Sequence, residues 1–299
     1  MGNKKIHLVA LAEWPCTGSH LLHTRKFLQS FEDHGYTYSE IKFANEIANI
    51  SKGDIVYLSN HGFAATNIPT NLFEAISAQG AYQILWFWHE HLSLARDIFE
   101  SRFVLTGEHF YKKPALAGHI RCWDLQQTIK EYLPLTFASS LHPSAIGSLK
   151  RTERYLAHFV GYGYKSEINR KLRLRFRGIK IQNTPPFITE EQRRSIFLSS
   201  KVALGWHSDD NIKNNVVVER VFEGLAFGNA VISDTPIAKE ITEGIVEFGQ
   251  TYEETKEFLL RVKKDELFRQ KKMHDGLAWA RSYGTYWHVA KRFVDHFES

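Results

Sequence analysis

The chain has 299 residues, 43% hydrophobic and 24% charged, a balance that excludes a disordered polypeptide and by length suggests two domains of about 150 residues each. Two cysteines, Cys16 and Cys122, exclude a disulfide framework, offer no metal-ligand spacing and point to a reducing cytoplasm. No run of 18 apolar residues occurs, so no membrane span is expected, and the net charge of +5 suits an anionic ligand such as a diphosphate or a nucleic acid.

The N-terminus, MGNKKIHLVALAEW, pairs a basic start with a short apolar run that fits a first buried strand better than a signal peptide. Ile6 stands where a myristoylation motif needs Ser or Thr. Residues 6–11 read as that strand. Residues 19–34 read as a helix, with Leu22, Phe27, Leu28 and Phe31 on one side. Strands follow at 36–41, at 55–58 before Ser59-Asn60-His61-Gly62, and at 82–88 before His89-Glu90-His91. A helix is expected at 71–78, and further strands at 103–105 and 133–138. Strands that are continuously apolar and alternate with helices imply a parallel sheet covered on both faces.

Near residues 142–151 the pattern stops. Pro143, Ser144, Gly147 and Ser148 read as an interdomain linker, giving domains 1–145 and 146–299. The alternation then restarts. Residues 156–160 read as a strand, followed by Gly161-Tyr162-Gly163. Residues 166–177 read as a helix on Ile168, Leu172 and Phe176, although Leu172, Leu174 and Phe176 also alternate as a strand would. A strand at 179–182 precedes the capping box Thr189-Glu190-Glu191-Gln192, and another lies at 202–206. From residue 252 onward the chain reads as mostly helical.

Residues 216–236, VVVERVFEGLAFGNAVISDTP, are the most informative stretch. Val218, Val221, Phe222, Leu225 and Ala226 form a helical stripe, and Gly228 stands where a helix end wants a left-handed residue. Ala230, Val231 and Ile232 read as a buried strand ending in Ser233-Asp234-Thr235-Pro236. The run from Glu223 to Ile232 resembles the C-terminal signature of the group-1, family 4-like glycosyltransferases. The second signature glutamate is matched by Glu223, while Asn215 stands in the place of the first. Arg220, three residues before the glutamate, and Tyr283-Gly284-Thr285-Tyr286 resemble a divergent branch of that family.

The resemblance implies an α/β fold of the GT-B type, two Rossmann-like domains with parallel sheets facing across a cleft. It implies an enzyme that moves a sugar from a nucleotide-diphosphate donor to an acceptor hydroxyl, with retention. The second domain would hold the donor and the first the acceptor. No Asp-x-Asp motif stands out, so metal-independent transfer is expected, with no cofactor beyond the nucleotide sugar as co-substrate. Glu223 would grip sugar or ribose hydroxyls, and Arg220 would offset charge on the departing diphosphate. Lys165 and Arg170 follow a glycine turn at a helix entry that favours phosphate. Gly18 and Ser19 lie in the first strand–helix loop, where backbone N–H groups approach the donor. His89 and Glu90 are the candidates beside the reacting carbon, Glu90 as base if the reaction inverts. His207, Asn215, Asp234 and Thr235 are further donor-side candidates.

Each has a plainer structural reading. Arg220 is equally a surface ion-pair member and Ser19 an N-cap. Asn215 and the loop after His207 are ordinary turn chemistry, and the run Arg170-Lys171-Arg173-Arg175-Arg177 is a solvated face or an acceptor surface. The acceptor stays open between a glycan and a modified DNA base of the kind some bacteriophages glycosylate. A non-catalytic nucleotide or phosphosugar binder is the remaining alternative.

Overall fold

The computed structural model describes residues 4–9, 19–59, 78–87, 119–123, 129–134, 138–161, 165–183, 189–213 and 217–298. No helix among them is long and apolar enough to cross a membrane. The chain divides into two compact units, Met1–Thr136 with Val289–Ser299, and Phe137–His288. The first division precedes the residue-145 boundary read from the sequence.

The first unit holds a six-stranded sheet in the order β2-β1-β3-β4-β5-β6. Strands β1 (Lys5–Val9), β2 (Thr37–Ile41), β3 (Ile55–Ser59) and β4 (Tyr82–Phe87) pair in parallel. Strands β5 (His119–Trp123) and β6 (Ile129–Pro134) continue the sheet antiparallel. The sequence reading had no strand at 119–123 and set its last strand at 133–138. The β5–β6 pairing draws that strand back to Ile129, and Pro134 is tolerated at the sheet edge, where its missing N–H costs no ladder bond. The helix expected over 19–34 ends at Gln29. A short 3₁₀ turn, Glu32–His34, follows, and Gly35 at φ 88° turns the chain into β2. Ile6, Leu8, Phe27, Phe31, Ile55 and Tyr57 are buried, and Phe293 of the last helix (Tyr286–Glu298) packs its ring 6.0 Å from Phe27. Of the helix expected at 71–78 only Ala78 is among the described residues, and it is helical; the strand expected at 103–105 lies outside them.

The second unit holds β7 (Tyr155–Gly161), β8 (Ile179–Asn183), β9 (Ser200–Gly205), β10 (Ala230–Ser233) and β11 (Glu247–Phe248), all parallel, in the order β11-β10-β9-β7-β8. The chain runs outward from β7 to β8, then crosses back to β9. The order therefore reverses between β7 and β9, and in open α/β sheets ligands bind beyond the carboxyl ends of the strands at such a reversal.

Between β7 and β8 the chain forms the helix Ser166–Arg175, which decides the ambiguity in the sequence. Leu172 is buried but Leu174 is 78% exposed, so the apparent alternation of Leu172, Leu174 and Phe176 is not one face of a strand. The helix Glu190–Leu198 carries the expected capping box: Gln192 N donates to Thr189 Oγ1 at 3.1 Å and Thr189 N to Gln192 Oε1 at 3.0 Å. Two helices, Tyr252–Lys264 and Glu266–Ser282, make up most of the tail.

The signature helix, Glu219–Ala226, sits on β9 and β10 with Val221, Phe222, Leu225 and Ala226 buried. Its end is a Schellman motif. Gly228 N donates to Leu225 O at 3.0 Å and Asn229 N to Gly224 O at 2.8 Å, with Gly228 at φ +75°. The helix approaches the sheet closely because Gly224 has no side chain. A Cβ there would lie 2.9 Å from both Ala203 Cβ and Val231 Cγ2. Gly224→Val forces helix and sheet apart and is expected to destabilise the second unit by about 1–3 kcal/mol, read from equilibrium urea unfolding. An unchanged midpoint would contradict this packing.

Candidate functional site

The polar groups of the second unit gather at the carboxyl ends of β7, β9 and β10. Beyond β9, Trp206 and His207 are buried, and beyond β10, Asp234 is buried. The His207 backbone N–H donates to Asp234 Oδ1 at 3.1 Å, and its ring Nδ1 lies 2.6 Å from the same oxygen. Val218 N donates to His207 Nε2 at 3.1 Å. Nε2 is therefore an acceptor, which assigns the ring proton to Nδ1 and makes His207 a neutral donor to Asp234. Burial pushes the His207 pKa below the usual imidazole value, against the opposing pull of Asp234. Lys165 Nζ stands 3.8 Å from Asp234 Oδ2. Lys165 itself adopts the left-handed conformation, φ 52° and ψ 40°, as N-cap of the Ser166–Arg175 helix, and gives that helix no side-chain cap. A non-glycine residue held at positive φ stores strain of the kind that concentrates at functional positions.

Arg220 is the unusual member. It lies in the first turn of the signature helix, and its Nη1 donates to Trp206 O at 2.5 Å. Its guanidinium carbon is 5.3 Å from the centroid of the Phe159 ring. A Cβ on Gly161, the last residue of β7, would stand 3.1 Å from Arg220 Cζ and Nη2. Glycine is thus what lets the guanidinium lie on the end of β7, at the point where strand order reverses. Arg220 is half-buried, its Nε is buried without an acceptor, and it makes no carboxylate ion pair among the described residues. The surface salt bridge weighed from the sequence is not what the structure contains. A buried guanidinium N–H without an acceptor is costly unless something else uses it.

Glu223, one turn further along, is fully buried. Its Oε1 accepts from Ser140 N at 2.9 Å, from Ser140 Oγ at 2.9 Å, and from Arg193 Nη1 at 3.3 Å. Oε2 is buried with no hydrogen-bond partner. The carboxylate read from the sequence as a grip for sugar or ribose hydroxyls is here buried and held through Oε1 by Ser140 and Arg193. Glu223 ties the signature helix to the segment following Phe137. That segment is in turn bonded to the tail motif: Ser139 N donates to Gly284 O at 2.8 Å and Tyr286 N to Ser139 O at 3.0 Å. The tail motif read from the sequence thus has a structural place. Burial and the nearby carboxylates of Glu219 and Glu223 hold the Tyr286 phenol well above its usual pKa.

The remaining candidates are dispersed. Arg170 is exposed on the Ser166–Arg175 helix, beside a cavity of about 410 Å³ lined also by Ser166, Asn169, Arg173, Leu174 and Ile181. No hydrogen bond or ion pair links it to the Lys165–Asp234 pair among the described residues. Thr235 is buried, with its Oγ1 unpartnered, next to Asp234. Ser19 opens the first helix of the first unit. Gly18, His89, Glu90 and Asn215 lie outside the described residues. Sequence reasoning missed Ser140 and Arg193, and it missed Trp206 as the acceptor that holds Arg220. Ser140 sits just ahead of the stretch read as linker and Arg193 on a helix read only for its cap, so neither carried a local signal.

No protein-family profile and no curated protein matches the sequence. The fold, however, matches solved structures over its whole length. An α-glucosyltransferase in complex with UDP and a 13-mer DNA containing a central A:G mismatch aligns over 100% of both chains at 10% identity and a TM-score of 0.62. An α-glucosyltransferase in complex with UDP-glucose and DNA containing an abasic site aligns over 98% of both chains, again at 10% identity, with a TM-score of 0.58. An α,α-trehalose 6-phosphate synthase from Burkholderia multivorans aligns over 85% of this chain and 72% of its own at 12% identity and a TM-score of 0.52. At such identities the likeness is one of fold, and that fold is the GT-B type expected from the signature.

Glu223→Ala leaves Arg193, 13% exposed at its side chain, without its carboxylate, and is expected to cost about 3–5 kcal/mol. Glu223→Gln keeps an acceptor for both Ser140 donors and is expected to lose less. Urea unfolding of the two variants checks the order. Equal stability of Glu223→Ala and the parent chain would rule out the anchoring role.

Proposed function

We propose that the chain is a glycosyltransferase that moves a sugar from a nucleoside-diphosphate donor to an acceptor hydroxyl. The observation that carries this reading is the half-buried, carboxylate-free guanidinium of Arg220 laid on Gly161 where the strand order of the second unit reverses. The donor's diphosphate supplies the missing negative charge. The N–H groups opening the Ser166–Arg175 helix add partial positive charge, and Lys165, now shared with Asp234, adds a mobile cation.

In the transfer, the acceptor hydroxyl oxygen bonds to the anomeric carbon while the bond from that carbon to the β-phosphate oxygen breaks, and the hydroxyl proton passes to the departing phosphate oxygen. The electron pair stays with the diphosphate. Charge therefore grows on the leaving oxygen, and a fixed guanidinium beside it stabilises the transition state more than the ground state. The protein's own cations serve where other enzymes place a metal ion, so we assign metal-independent transfer. Retention and a donor-binding second unit follow from the family resemblance. His89 and Glu90 keep the role of groups near the reacting carbon, and Asn215, Gly18 and Ser19 keep that of donor contacts. Neutral His207 and buried Asp234 act as a brace for the loop beneath the donor, and Thr235 offers its free hydroxyl there. For Glu223 we assign the unpartnered Oε2 to a donor hydroxyl, with Oε1 kept on Ser140.

A second reading concerns the acceptor. Full-length likeness in fold to α-glucosyltransferases solved with DNA, together with the chain's net charge of +5, favours a base in DNA over a free glycan.

A thermal-shift panel of nucleotide sugars tests the proposal. A specific donor at about 100 times its dissociation constant adds roughly 2.7 kcal/mol of stability. Arg220→Gln is expected to abolish that shift while leaving the unliganded melting temperature near that of the parent chain. If no common nucleoside diphosphate moves the melting temperature, the proposal fails. If donor binds but no sugar reaches any acceptor or water, the chain is a binder and not an enzyme.

A further inference from the structure

The positive charge of this chain is not spread over it. Residues 165–183 carry seven basic side chains, Lys165, Arg170, Lys171, Arg173, Arg175, Arg177 and Lys180, against one acid, Glu167. That stretch alone is formally +6, while the whole chain is +5, so the rest is close to neutral. Glu167 is committed to Lys171 at 2.8 Å. Arg170, Arg173, Arg175 and Arg177 are all exposed and form no ion pair among the described residues. Arg170 and Arg173 leave the same helix face about 4.5 Å apart along its axis. Both line the cavity of about 410 Å³, together with Ser166, Asn169, Leu174 and Ile181. Leu174, 78% exposed, lies amid these arginines.

From this juxtaposition we propose that the outer face of the Ser166–Arg175 helix, continued through Arg177, is a docking surface for the phosphate backbone of DNA. The proposal rests on the reading of DNA as acceptor and adds where the polymer is held. Guanidinium groups pair with phosphate oxygens through paired N–H donors, and an apolar-walled recess beside them accepts the sugar of one nucleotide against Leu174. The four arginines bind backbone and carry no base specificity.

The test is fluorescence anisotropy of the full chain with a labelled DNA duplex of about 20 base pairs, titrated from about 50 to about 200 mM salt. With about four phosphates neutralised, affinity of the parent chain is expected to fall about 150-fold over that range. The variant Arg173→Ala/Arg175→Ala/Arg177→Ala is expected to lose most of the affinity and to flatten the log–log salt slope by about 2.7. Its melting temperature and its stabilisation by nucleotide sugar are expected to stay as in the parent chain. Parent-like DNA affinity and slope in the variant would overturn the proposal, as would absence of DNA binding by the parent chain at the lowest salt. Loss of binding to anionic lipid vesicles in the variant, without any DNA binding by the parent, would overturn it in favour of a membrane surface. The donor-induced shift, measured in parallel, reports separately on donor binding, so failure of the DNA surface is distinguishable from failure of the donor site.

Discussion

The second unit depends on the close approach of one helix to one sheet. Gly224 sets the signature helix against Ala203 and Val231, Gly205 receives Val221, and Gly161 leaves room for the Arg220 guanidinium. A Cβ at Gly205 would stand 2.7 Å from Val221 Cγ2, so each of the three positions is filled by its neighbour. The consequence is electrostatic. A cation in the first turn of a helix is set against the favourable dipole arrangement, which prefers an acid there. Arg220 is nevertheless held in place by the Trp206 carbonyl and the Phe159 ring, with no carboxylate at ion-pair distance among the described residues. Such an arrangement makes physical sense when an anion completes it.

Around that cation the unit spends its buried polar groups on rigidity. Asp234 takes both the backbone and the ring of His207, and Val218 N closes the other side of the imidazole. This locks the ends of β9 and β10 to the start of the signature helix. Farther along, Glu223 fastens the same helix to Ser140, and the strand-like bridge between Ser139 and Thr285 fastens Ser140's segment to the tail. The helix that carries Arg220 is thus fixed at both ends. A charge whose position is fixed before a ligand arrives needs no reorganisation to act on it.

Much of this was legible in the sequence. The strand at 230–232, the glycine stop at Gly228, the capping box at Thr189 and the helix–strand order of the second half all came from periodicity and local chemistry, and the structure contains them. The signature block led to the GT-B fold. What could not be read was anything decided by distant partners. Strand β5 has no apolar run of its own and exists through its ladder with β4 and β6. Leu174 looked like one rung of a strand until the helix turned it to solvent. Glu223 was read from its helix position alone, yet its surroundings come from residues 83 positions before it and 30 before it. Arg220 was undecidable between an ion pair and a phosphate ligand, because the choice turns on a carboxylate being near in space.

The account is tested most directly by a crystal structure of the chain soaked or grown with UDP. The diphosphate is expected within hydrogen-bond distance of the Arg220 guanidinium, beyond the ends of β7 and β9, with Lys165 drawn toward it from Asp234. A diphosphate bound elsewhere, with Arg220 still bonded only to Trp206, would contradict the account.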